Sequence, residues 1–253
     1  GTAPNLCGIE IETGDVTHVL LSDVTILNEG SLTSTAVTGG WSNGIQMSTG
    51  LTVLTMTNVN ITSVANVSGG NTTTQIVMED MKCGNWSGVS MYGGGKVIGE
   101  GGGDAVGIKF IQIGFDDVEV SNLELRGRSE MECGSGRCYG IWWDGVQMTQ
   151  STMIDSIIEF DGMMIDSTDG SDDATIPIGI HWNGGSGSSI ESSTLRNVSL
   201  LSTNSEGIEL VDLGNVTFCL VKVISEGSVV VDMKSSDPSS STSSSVIVGS
   251  TFK

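Results

Sequence analysis

A short motif, Gly-Ile followed by two residues, returns through the chain as GIEI at 8, GIQM at 44, GIKF at 107, GIWW at 140, GIHW at 179 and GIEL at 207. Successive starts differ by 36, 63, 33, 39 and 28 residues, and the long gap divides into 31 and 32 if QIVM at 75 is a degenerate copy. Seven units of roughly thirty residues result. A repeat of this length cannot bury an apolar face alone, so each unit must stack on its neighbours.

A second motif follows inside each unit: Asn, Asp or Gly ahead of an apolar-any-apolar triplet. It reads SDVTI at 22, TNVNI at 57, SGVSM at 87, SNLEL at 121, RNVSL at 196 and GNVTF at 214, and the fifth unit offers SIIEF at 156, without the turn residue. Alternating apolar and polar residues mark a half-buried strand, and Asn, Asp and Gly tolerate the left-handed backbone of a tight turn. Each unit therefore reads strand, turn, strand, loop. With no helical stretch between them, these strands predict an all-β, single-stranded parallel β-helix of about seven coils. At the inter-strand spacing of a sheet it is a rod of about 35 Å.

The alignment also predicts what faces inward. Ile9, Ile45, Ile76, Ile108, Ile141, Ile180 and Ile208 form one ladder, and Ile11, Met47, Met78, Phe110, Trp143, Trp182 and Leu210 the next. The position between them carries Glu10, Gln46, Val77, Lys109, Trp142, His181 and Glu209, the mixture expected of a solvent face. A one-residue slip would exchange the two sets.

These columns, over about residues 8 to 233, resemble the right-handed parallel β-helix repeat proteins of the pectate-lyase-like superfamily. Its members include pectate lyases, polygalacturonases, phage tailspikes and surface adhesins. The resemblance implies the fold and leaves function open, because the scaffold serves enzymes and structural proteins alike. Glycoside cleavage requires clustered carboxylates, one of them raised in pKa to act as an acid. The nearest residues are Asp116 and Asp117 in GFDDVEV, Asp172 and Asp173 in GSDDATI, and His181 in GIHWNGG, without the Asn-Thr-Asp, Gly-His-Gly or Arg-Ile-Lys motifs of polygalacturonases. Both Asp pairs fall at predicted turns, where Asp has a structural use. Lyases of the superfamily use an arginine base beside calcium-binding aspartates, and Arg126 and Arg128 in LRGRSE lack the proline-containing pattern. A non-catalytic member is expected.

One outward cluster can recognise a ligand: Lys109, Trp142 and His181 in one column, with Asp144 and Asn183 in the next. Trp stacks on sugar rings, and Asp, Asn and His bond hydroxyls, so the cluster reads as a saccharide patch or a partner contact. Glu79 and Asp144 share a column, but Ile111 lies between them. His18 and His181 occupy different coils, so neither a metal site nor a Ser-His-Asp triad is expected, and no cofactor is. GGGKVIGEGGGD at 93–104 matches neither nucleotide-binding pattern and reads as a flexible loop.

Thirty acids against ten bases give a formal charge of −20, which disfavours nucleic acid and anionic surfaces. No run of 18 apolar residues exists, so membrane insertion is not expected. GTAPNLCG lacks the basic and apolar regions of a signal peptide and reads as the start of a mature or trimmed chain. Cys133 and Cys138 flank GSGR and are placed to close a tight disulfide loop, while Cys7, Cys83 and Cys219 leave one thiol unpaired. Asn-x-Ser/Thr occurs at Asn60, Asn66, Asn71, Asn85, Asn197 and Asn215, against about three expected by chance. Asn197 and Asn215 fall in the turn column, where backbone geometry already explains an asparagine, so the other four are the better acceptors. Disulfide and sequons together point to an extracellular or cell-surface protein, with a virion surface as the alternative.

Residues 235–245 hold eight serines and one threonine, a linker by composition. The chain divides into a β-helix over 1–234, this linker, and a C-terminal strand over 246–253 that either folds back on its own rod or adds to a neighbour's edge. The function expected is a secreted, glycosylated structural subunit that stacks on copies of itself into a filament or surface layer. The alternative is a carbohydrate-binding or carbohydrate-degrading protein that meets cell-surface glycans through the Trp142 cluster.

Overall fold

The computed structural model describes residues 6–12, 16–33, 41–48, 53–69, 72–99, 103–133, 136–166, 178–183, 190–191, 194–196, 199–202, 207–211, 217–225, 228–231, 246–248 and 251–252. Among them every regular element is a strand, and the strand ladders are parallel. The chain is a parallel β-solenoid. Its strands fall into sheets of 17, 8 and 5 strands, the first spanning two faces because strands such as Thr72–Ser87 run across both. A coil holds more strand than the two per unit that the motifs predict. After Thr72–Ser87 come Ser90–Gly93 and Lys96–Gly99, so part of the glycine-dense stretch expected to be a loop is a strand, paired with Val67–Ser68 and Glu130–Cys133. Partners above and below hold such short segments extended where local propensity would not.

The GI ladder has the predicted register. Ile9 pairs with Ile45, then Ile76, Ile108, Ile141, Ile180 and Ile208. From Ile45 onward these side chains are fully buried, as are Met47, Met78, Phe110 and Trp143 in the adjoining ladder. Phe110, Trp143 and Trp182 stack through the core, with ring centroids 4.8 Å and 4.3 Å apart. The count of seven requires correction: Ser228–Val231 adds an eighth rung, with Val229 opposite Ile208. It places Val229 and Val231 on the two apolar ladders and lacks the Gly-Ile pair, so the repeat does not reveal it.

At most rungs the GI column takes glycine because the next rung leaves no room for a Cβ, while Gln75 and Ser228 occupy it on the third and eighth rungs. At Gly140 a Cβ would lie 2.1 Å from Phe160 Cδ2 and 2.5 Å from the Gly179 carbonyl oxygen. At Gly44 it would lie 2.5 Å from Ser63 Oγ and 2.6 Å from the Gln75 carbonyl oxygen. The turn column takes the left-handed conformation at Asp23, Asn58, Gly88, Asn122 and Asp155, with φ between 50° and 63°. Two sequence expectations change here. The fifth unit keeps its turn residue, Asp155, and Ser156 stands where the others carry Val or Leu. In the last full unit Leu220 (φ 56°) precedes Lys222–Ser225, which pairs with Ser199–Ser202. Leu220 therefore takes the place expected for Asn215.

The solvent face predicted between the inward ladders is mostly covered: Gln46, Val77, Lys109 and Trp142 expose only 6%, 3%, 9% and 8% of their surfaces. Outward side chains one strand spacing apart cover one another along the rod. At the C-terminal end, Val246–Val248 pairs with Thr217–Cys219 and Thr251–Phe252 with Lys222–Ser225. Of the two placements left open for this strand, the structure has it on its own rod; residues 235–245 lie outside the described residues.

Candidate functional site

The outward side of the GI strands carries three adjacent columns. Register places Lys109, Trp142, His181 and Glu209 on successive rungs of the central one. Glu79, Ile111, Asp144 and Asn183 form the column on one side. On the other, each residue just before the glycine position lines up: Asn43, Thr74, Val106, Tyr139 and Ile178. The predicted cluster is thus brought together as two columns, although the side chain of Asn183 lies outside the described residues. Val106, Tyr139 and Trp142, with Ile178 packed against them, form an apolar cluster separate from the core of the rod.

This cluster is held together by contacts among its own residues. Lys109 Nζ sits 3.9 Å from the Trp142 ring centroid, and Tyr139 packs on Trp142 at 4.6 Å. The Arg137 guanidinium lies 5.7 Å from both rings, and its side chain and backbone N–H donate to Asp104. His181 is 5.3 Å from Tyr139, and its Nδ1 is 2.9 Å from Glu209 Oε2. Burial lowers the Lys109 pKa, against the pull of Asp104 and Asp144, and burial raises the Tyr139 phenol. The indole N–H of Trp142 has no hydrogen-bond partner among the described residues. Sequence reasoning missed Tyr139, Arg137 and Thr74, although extending the alignment one position before the glycine would have exposed two of them.

Toward the N-terminal coils the same face opens into a cleft of about 150 Å³, lined by Trp41, Asn43, Thr74, Glu79, Lys109 and neighbours. Asn43 Nδ2 donates to Gln46 Oε1 at 2.9 Å, and Gln46 Nε2 donates to Glu79 Oε1. Burial raises the Glu79 carboxyl, opposed by the Gln46 hydrogen bond. A broader cleft of about 520 Å³ lies on the second face, over Gly84 and Gly114 and beside Lys82, Asp116 and Gln147.

Elsewhere the candidate groups are dispersed or tied. Asp116 and Asp117 are exposed, and Asp117 holds a turn at φ 52°, while Asp172 and Asp173 lie outside the described residues. Arg126 is paired with Glu124 and Glu159, and Arg128 with Asp161. No group of three His, Cys, Asp or Glu side chains fit to hold a metal occurs among the described residues. Cys133 and Cys138 form the predicted disulfide, Cα atoms 5.8 Å apart, and Cys83 is buried, with burial pushing its thiol pKa well up. Asn60, Asn66 and Asn85 are exposed. Asn66 and Asn85 accept backbone N–H bonds from Lys96 and Glu119 through Oδ1, which leaves Nδ2, the glycan-bearing atom, without a hydrogen bond among the described residues. Asn71, Asn197 and Asn215 lie outside the described residues.

No protein-family model matches the chain, and no curated protein sequence does. Among solved structures it has a weak similarity to the catalytic domain of a GH87 alpha-1,3-glucanase in complex with tetrasaccharides, at 8% identity and a TM-score of 0.15. The alignment covers 93% of this chain and 65% of that one, and its score is too low to carry an argument.

Proposed function

We propose that the chain is a non-catalytic, secreted and glycosylated rod of the pectate-lyase-like superfamily that stacks head to tail on copies of itself. The carrying observation is the partly exposed apolar side of the first described coil. Ile9, Ile11, Val19, Leu21 and Val24 point at the core but stay partly exposed, whereas their partners one rung on, among them Ile45, Met47, Leu54 and Met56, are buried. Because the ladders are parallel, the coil containing Ser228–Val231 offers strand edges that run in the matching direction. A second copy seated there continues each ladder and buries those five side chains. Accessible Asn60, Asn66 and Asn85 and the Cys133–Cys138 bridge support the extracellular assignment.

The carbohydrate reading finds less support. Trp142 already has Lys109 on its ring, and Ile111 separates Glu79 from Asp144 on the ladder. Sedimentation of the wild type against Ile11→Lys tests the stacking. The wild type is expected to form concentration-dependent oligomers and the variant, with a charge facing the junction, to remain monomeric. A monomeric wild type, or a variant that assembles equally well, refutes the proposal.

A further inference from the structure

Two opposite charges line the 150 Å³ cleft of the GI face, and neither has an ion-pair partner among the described residues. Glu79 holds one carboxylate oxygen against Gln46. Lys109, only 9% exposed, has the face of Trp142 as its neighbour. The two sit one rung and one column apart, since Lys109 pairs with Val77 and Ile111 with Glu79, yet they do not close into a salt bridge. Glu79 and Lys109 act on each other through space without touching, and charges drawn even partly from water gain from close pairing, so a cleft walled by an anion and a cation that do not meet suits a ligand that bridges them. A third group points the same way: Thr74 is fully buried, lines the cleft, and its hydroxyl has no hydrogen-bond partner among the described residues.

We propose that this cleft binds a small zwitterion, an α-amino acid with a short side chain, its ammonium against Glu79 and its carboxylate against Lys109. The hydrogen-bond directions agree. One N–H of each amide, Asn43 and Gln46, is used in the relay toward Glu79, and Asn43 Oδ1, Thr74 Oγ1 and the second Glu79 oxygen are acceptors for an ammonium. A simple cation meets repulsion from Lys109, and a simple anion meets Glu79, with Asp104 and Asp144 also close enough to act on the lysine. Size agrees too, because a cavity of about 150 Å³ accommodates a ligand of about six heavy atoms, as benzene fills one of that volume. Glycine and alanine fall in that range.

The test is calorimetric titration of the whole protein with glycine and L-alanine, beside ethylammonium chloride, sodium acetate and glucose. Glycine or alanine is expected to bind, with each half-charged probe and glucose at least tenfold weaker. Glu79→Gln and Lys109→Met are each expected to weaken amino-acid binding at least tenfold with melting temperatures no lower than wild type. Thr74→Val, which removes one acceptor and no charge, is expected to weaken it less. Absence of amino-acid binding to the wild type overturns the assignment, as does ethylammonium, acetate or glucose binding as tightly. A folded Glu79→Gln or Lys109→Met protein with wild-type affinity does the same.

Discussion

Gly140 and Gly114 separate two reasons for glycine in a rod of strands. At Gly140 a methyl group meets backbone and a buried ring, while at Gly114 it meets nothing within 4 Å. Denaturant melts are therefore expected to show Gly140→Ala destabilised by about 3 kcal/mol or more, the cost of forced overpacking at its upper end. Gly114→Ala should be neutral or stabilising by up to about 1 kcal/mol, through lost freedom of the unfolded chain. A second residue-scale effect sits at Lys109, whose folded pKa lies below its ordinary 10.5. Such a depression makes burial of the ammonium a standing cost at neutral pH, relieved as pH climbs from the folded value toward 10.5. Lys109→Met should accordingly melt no lower than wild type at pH 7, and its advantage should shrink toward pH 10. A loss of stability at pH 7 would mean that the Trp142 contact outweighs burial.

At the scale of the element, the left-handed turn that precedes strands of the eight-stranded sheet, as at Asn122 and Leu220, is the feature most open to change. Asn122 and Leu220 both sit at φ above 50°, where a Cβ costs roughly 1–2 kcal/mol for residues without a local side-chain hydrogen bond. Asn122→Ala should lose about 1 kcal/mol, and Leu220→Asn, at a position 57% exposed, should gain about as much. Thermal unfolding of the pair checks both signs, and a Leu220→Asn protein no more stable than wild type would argue against the turn at that site.

The same elements mark where the sequence is legible. The inward ladders are readable because a period-two pattern repeated down a column admits one register, from Ile45 to Ile208. Asp155 escapes the motif because the motif carries an apolar residue at the place of Ser156. The strand Lys96–Gly99 was missed because its flanking glycines signal a loop, and only pairing to Glu130–Cys133 holds it extended. The outward site was half legible. Lys109, Trp142 and His181 fall in one column as read, yet alternation alone cannot tell an outward residue in water from one covered by its neighbours on adjacent rungs. Tyr139 and Arg137 bring about that covering, and they lie before the repeat begins.

For the whole molecule, the register that defines the rod also defines how two rods would join. Val230 pairs with Glu209 and so continues the column that starts at Glu10. In a head-to-tail stack, Val230 of one copy lies one rung from Glu10 of the next, about 4.8 Å away and within the Cα separation that a disulfide spans. Within one copy the same two positions stand at opposite ends of the column. Replacing both, Glu10→Cys with Val230→Cys, in a chain whose partly exposed free thiols are removed by Cys7→Ser and Cys219→Ser, and oxidising the folded protein tests the junction most directly. Stacking in register predicts a ladder of reducible multimers on a non-reducing gel, absent from either single variant beyond the dimers that a lone cysteine can form. A double variant that stays monomeric under oxidation, at concentrations where wild type sediments as an oligomer, would contradict the head-to-tail assembly.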